Sequence, residues 1–142
     1  LLDLPPGTGD IAITVGQQLP NSEVLVVTTG QAAASEVAVR AGVLAQQTGQ
    51  KQLGVVENMG PLTLPDGSTL ELFGSGGGED VARELGTTVL GRIPLSPAWR
   101  EAGDAGTPVV LSTPNAPAAA ALTVLAAAII SAGERRAGKS LL

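Results

Sequence analysis

Leu1-Leu2-Asp3-Leu4-Pro5-Pro6-Gly7-Thr8-Gly9-Asp10 is the stretch on which the reading of the fold turns. A short apolar run ends in one carboxylate, two prolines stiffen the exit, and Gly7 and Gly9 admit close backbone approach. A strand that delivers Asp3 at its carboxyl end, followed by a loop with free N–H groups, suits a phosphate and its Mg²⁺. The carboxylate would hold the hydrated ion, and a glycine N–H would reach a phosphate oxygen. The same residues also read as a strand closing in a Pro-Gly turn with a surface Asp. Spacing leaves both readings open.

Outward from this stretch, apolar runs alternate with helical periodicity. Residues 1–4 form the first predicted strand, and Asp10 caps a predicted helix to about residue 19, with Ile11, Val15 and Leu19 on one face. Residues 23–29 (EVLVVTT) are a continuous apolar run of the buried parallel type, and residues 31–47 are Ala-rich with helical spacing up to Gly49. Residues 52–57 give the next strand, and residues 58–74 a loop whose Leu64-Pro65-Asp66-Gly67 centre signals the turn of a small hairpin. Gly76 to Gly78 lead into a helix over 79–85, followed by a strand over 88–93 and a helical turn over 98–102. A Pro-rich connection precedes the last helix. This alternation predicts an α/β fold with a mostly parallel sheet covered by helices on both faces. Residues 1–134 are expected to belong to one domain, and residues 135–142 to form a flexible tail.

The composition narrows the chemistry. Aromatics number only Phe73 and Trp99, so the core must come from Val, Leu, Ile and Ala, and base-stacking platforms are lacking. A net charge of −5 argues further against nucleic acid as a partner. With no Cys and no His, this chain offers no thiolate, imidazole base, zinc finger or Cys-ligated iron–sulfur cluster. Carboxylates, hydroxyls, Lys, Arg and backbone groups remain. No basic-then-apolar leader is read at the start. The apolar run over 116–132 is broken by Pro117 and dominated by Ala, with Leu122, Leu125, Ile129 and Ile130 on one side. It reads as a packed helix, so no membrane partner is expected.

Open parallel sheets bind ligands beyond the carboxyl ends of their strands. Three such ends carry suggestive residues: Asp3 with Gly7, Glu57-Asn58, and Ile93-Pro94-Leu95. The Asn58 amide suits a purine edge, pairing donor with acceptor, and equally suits a turn cap. Pro94 suits the wall of an apolar base slot, and equally the punctuation after a strand.

In order along the chain stand DLPPGTGD (3–10), VVTTGQ (26–31), GVVENM (54–59), FGSGGG (73–78), LGRIPLSP (90–97) and REAGDAGTPVV (100–110). This ordered set resembles the Mrp-type (ApbC) ATPases of the MinD/ParA branch of P-loop proteins. The resemblance implies a P-loop NTPase fold, ATP and Mg²⁺ as cofactors, and a cytoplasmic homodimer that assembles or carries iron–sulfur clusters for client proteins. It implies that Asp3 contacts Mg²⁺ through water and is the residue on which hydrolysis depends. By the same resemblance Gly7 places its N–H near the γ-phosphate, Asn58 reads adenine, and Ile93, Pro94 and Leu95 line the base pocket.

The departures qualify these expectations. The family's phosphate-binding lysine loop has no counterpart in this chain, which therefore resembles the C-terminal part of an Mrp protein lacking its N-terminal portion. Alone, the segment is expected to bind ATP poorly and to be inactive. Where many relatives carry a Cys-x-x-Cys pair, residues 60–67 read GPLTLPDG, so iron–sulfur ligands are absent here. Gly30 and Ser96 stand where relatives usually have Pro and Asp. Residues 133–140 spell G-x-x-x-x-G-K-S, but a helix precedes them and only Leu141-Leu142 follow, the reverse of what a phosphate loop needs. Residues 75–78 read as a flexible approach to a helix rather than a phosphate loop. Two alternatives stay in view: a partitioning or positioning ATPase of the MinD/ParA class, and an inactive truncated fragment.

Overall fold

The run Glu23-Val24-Leu25-Val26-Val27-Thr28 carries apolar, mostly β-branched side chains toward both faces of a strand, so it gains most where both faces are covered. It forms β1 (Glu23–Thr28), between α1 (Asp10–Gln18) and α2 (Ala32–Gln47). Then come β2 (Lys51–Gly60), a hairpin of β3 (Leu62–Thr63) and β4 (Thr69–Leu70), and α3 (Gly77–Leu85). The chain continues through β5 (Val89–Pro94), α4 (Pro97–Asp104), α5 (Val109–Ser112) and α6 (Pro117–Ala137). The computed structural model describes the backbone of residues 1–137, with side chains through residue 132.

The principal sheet has the order β1-β2-β5, with both pairings parallel. Side-chain alternation sorts its strands between two cores. Val26 and Val55 pack against Ala38 of α2 and Val81, Ala82 and Leu85 of α3. Val56 and Ile93 face the other way, against Leu125 of α6, with Trp99, Leu122 and Ile129 around them. Trp99 and Leu122 also touch a third cluster of Ala102, Val109 and Ala119, which ties α4 and α5 to α6. Val55, Val56 and Val81 are fully buried, each worth about 1.5–3 kcal/mol in burial. The expected α/β architecture, a parallel sheet with helices on both faces, is the one formed.

Two expectations are corrected. Residues 1–4 form no strand: they join no ladder among the described residues, and Leu2 is 63% exposed. A strand needs a neighbour for its N–H and C=O groups, and β1 pairs with β2 instead. Asp10 is the first helical residue of α1 rather than its cap, a position held by Gly9. Along α1, Ala12, Ile13, Val15 and Gly16 are partly or fully buried, whereas Ile11 and Leu19 are exposed. α6 runs through Ala137, and residues 138–142 of the expected tail lie outside the described residues. The G-x-x-x-x-G-K-S match ends in that same undescribed stretch.

The hairpin turn is held by Asp66, which accepts from Ser68 Oγ at 2.6 Å and from Ser68 N–H at 2.9 Å. These bonds hold its carboxyl below the ordinary value, the Ser68 hydroxyl contributing most. Among the described residues no helix is long and apolar enough to cross a membrane.

Candidate functional site

At the carboxyl end of the sheet the β2–β5 ladder pairs Glu57 with Arg92 and resumes with Gly60 opposite Pro94. Three steps on β2 therefore face two on β5, and the surplus residue makes a bulge. Met59 absorbs it with φ +54, alone in that region among the described non-glycine residues. The conformation costs about 1 kcal/mol and re-aims its neighbour. Asn58 Oδ1 accepts the Met59 N–H at 2.8 Å, which orients the amide and leaves its NH₂ without a protein partner among the described residues. Leu95 N–H donates to the Gly60 carbonyl at 3.0 Å and seats half-buried Pro94 and Leu95 beside the bulge.

The three expected base-pocket residues divide. Ile93 is 4% exposed and belongs to the core beneath, where it meets the cluster around Leu125. Only Pro94 and Leu95 keep open surface next to Asn58. Ser96, where relatives usually carry Asp, caps α4 by accepting the Trp99 N–H at 3.3 Å, with Pro97 in the first turn.

Beneath Asn58 lies Glu57, 2% exposed on the face it shares with Val55. Its Oε2 accepts the Gly78 N–H at 2.7 Å, and its Oε1 lies 3.8 Å from Arg92 Nε. Arg92 reaches on through Nη2 to Glu79 of α3. The glycine-rich approach to α3 is thus closed by close packing. A Cβ at Gly77 would lie 2.3 Å from the Thr29 carbonyl oxygen, so only glycine fits there. The anion at this helix N-terminus is a carboxylate of the protein itself. Sequence reasoning marked Glu57 at a suggestive strand end but gave it no role, and passed over Arg92. The signal was a lone ionisable residue inside the apolar run GVVENM, two positions after a buried valine, which demands a partner.

Asp3 and Gly7 stand in the segment before α1. Asp3 is exposed, and Gly7 adopts φ +94 with open space around it. Thr8 lines a hollow of about 380 Å³ with Val39, Arg40, Val43, Leu44 and Gln47 of α2. Among the described residues no hydrogen bond links residues 3–7 to Asn58 or to residues 94–95. The ladder and the Leu95–Gly60 bond thus tie the bulge that holds Asn58 to Pro94 and Leu95, while no such bond reaches Asp3 or Gly7 among the described residues. No group of three or more His, Cys, Asp or Glu side chains among the described residues is placed to hold a metal.

A family model described as ParA, NUBPL iron-transfer P-loop NTPase, matches residues 1–130. The chain is 55% identical over 147 aligned residues to the iron-sulfur cluster carrier protein of Mycobacterium leprae, covering 99% of this chain and 38% of that protein. It is 44% identical to the iron-sulfur cluster carrier protein of Synechocystis, covering 89% of this chain and 36% of the relative. The chain thus spans well under half the length of these curated relatives. Among solved structures, the Archaeoglobus fulgidus nucleotide-binding protein in complex with ADP is 34% identical with a TM-score of 0.58, over 72% of this chain and 43% of that one. The Pyrococcus furiosus cell division ATPase MinD is 25% identical with a TM-score of 0.59, over 77% and 42%. A parallel sheet with a bulged carboxyl end, matched along nearly its whole length by one family model, places the chain in that family: it belongs to the ParA family of NUBPL-type iron-transfer P-loop NTPases.

Proposed function

We propose that this chain supplies the switch side and the base shelf of an ATP site in an Mrp-type ATPase that serves iron–sulfur cluster assembly or carriage. The observation that supports this best is the bulge that presents Asn58 with a free amide NH₂ beside Pro94 and Leu95. Such an amide can donate to a ring nitrogen of adenine while its oxygen accepts from the exocyclic amine, and the two apolar residues wall the base. Ile93 supports the shelf from below. Asp3, an exposed carboxylate, fits a water-mediated contact to Mg²⁺, and Gly7 fits an N–H donor to the γ-phosphate. When bound, Mg²⁺ neutralises phosphate charge during in-line attack by water. Asp3 and Gly7 would orient that end of the nucleotide, and Asn58 the other. The lysine loop would come from the part of the relatives' length that this chain does not span.

The cluster is cargo in this reading. With neither Cys nor His, the chain's donor set does not fit direct cluster ligation, so ligands must come from other segments or from client proteins. Homodimerisation and a cytoplasmic setting belong to the same proposal. The likeness to MinD supports a positioning ATPase only through the shared fold.

Calorimetry on a full-length protein carrying this segment tests the reading. MgADP should bind more tightly than MgGDP, and Asn58→Ala should remove most of that preference. Equal binding of the two nucleotides by the unsubstituted protein would overturn the base shelf. Anaerobic reconstitution followed by iron analysis tests the cargo, and absence of bound iron would remove the carrier role.

A further inference from the structure

Glu57 is a buried carboxylate in β2, directly after the buried Gly54, Val55 and Val56. Its neighbours Val55 and Val56 show that burial here is satisfied by apolar side chains. A charge in such a place demands paired groups, and Glu57 has them on two other elements: the Gly78 N–H of α3 at 2.7 Å and the Arg92 guanidinium of β5 at 3.8 Å. Gly78 leaves the seat free, since a Cβ there would lie 2.9 Å from Glu57 Cβ and 3.1 Å from Oε2. Glu57 and Arg92 are also direct partners in the parallel register, at the last pairing before the bulge.

Glu57 stands one residue before Asn58, and Arg92 two residues before Pro94, with Ile93 of the core between. We propose that Glu57 is a positioning residue that pins β2 against β5 and α3 at the foot of the bulge and thereby fixes the orientation of Asn58. Its carboxylate also fills the N-terminus of α3, so the glycine-rich residues 74–78 bind an internal anion and not a phosphate. The use made of Asn58 rests on the nucleotide reading above; the clamp does not.

Nuclear magnetic resonance on a ¹⁵N-labelled full-length protein carrying this segment tests it, with Glu57→Gln, Arg92→Leu and Gly78→Ala as variants. Glu57→Gln keeps the shape and an acceptor oxygen but removes the charge. Arg92→Leu removes the partner from a half-exposed position. The expected result is a common displacement of the Asn58 side-chain NH₂ and Met59 amide signals in all three variants. In a titration with MgADP, apparent affinity read at Asn58 should fall on the order of tenfold in Glu57→Gln. Displacement of the Gly78 signal with Asn58 and Met59 unmoved would overturn the proposal, because Glu57 would then hold α3 and nothing more. Should Glu57→Gln fail to fold, Arg92→Leu decides through the same signals. Should MgADP leave the unsubstituted full-length protein unperturbed, the nucleotide reading fails while the Asn58 and Met59 signals still decide the clamp.

Discussion

Residues 3–9 carry the most specific motif in the chain and rest on little, whereas residues 57–60 carry a plainer motif and rest on the whole sheet. Around Asp3 the backbone is exposed, Leu2 and Leu4 face solvent, and no side-chain hydrogen bond holds the loop among the described residues. Around Asn58 a ladder, a buried carboxylate and an α3 N–H converge. The contrast teaches that a motif's specificity measures what it does to a ligand, and its anchoring measures what the present fold asks of it. The two are set by different neighbours.

The comparison breaks most visibly at Asp3. In a full-length protein, Asp3→Ala should lower ATP turnover by about 10²–10³-fold, the range for losing one preorganised electrostatic contact. The same change in this chain should shift stability by about 0.5 kcal/mol or less, as for any exposed side chain. Steady-state kinetics beside urea unfolding measures both, and unchanged turnover would end the role given to Asp3. At the anchored end the order reverses. Glu57→Ala leaves the Gly78 N–H without an acceptor and opens a cavity, so urea unfolding should show a loss of about 2–4 kcal/mol. Arg92 adds little to that figure, because its half-exposed guanidinium is screened by water.

Smaller effects sharpen the same contrast. Ser96→Ala removes the cap of α4 at the edge of the shelf and should cost about 1 kcal/mol in the same assay, while Ser96→Asp should restore most of it. The smallest effect belongs to the hairpin. Asp66 has its folded pKa depressed below 3.8, so its contribution is present above that value and is lost as the pH falls through the lower folded one. The Ser68 amide signal should therefore move on acid titration below about pH 4, and a Ser68→Ala variant should show the midpoint returned toward the ordinary carboxylate value.

Much of the fold was legible because it depends on periodicity. The valine-rich runs at 24–27 and 55–56 announced buried parallel strands, and the Leu64–Gly67 turn announced the hairpin that β3 and β4 form. Residues 1–4 misled because the same apolar pattern becomes a strand only beside another strand. On the site, residue types made Asn58 and Pro94 candidates for the proposed base shelf, with a turn cap and strand punctuation equally open. Their placement could not be read, since it depends on a one-residue bulge and on Met59 accepting a left-handed backbone. Ile93 illustrates the limit: one residue of alternation separates a wall of the shelf from a member of the core. Glu57 was visible as a letter, but its partners stand 21 and 35 residues away and meet it only in three dimensions.

Trp99 gives the molecule an optical handle. It is the single tryptophan, there is no tyrosine, and its half-buried indole sits where the core behind Ile93 meets α4 and α6. Its backbone N–H is the one that Ser96 caps, four residues past Leu95. Emission from this protein therefore arises from one place, at the back of the proposed base shelf, and needs no added label. Colour and lifetime changes will report motion of that rim alone, while events at the Asp3 loop pass unseen unless they are transmitted through the sheet.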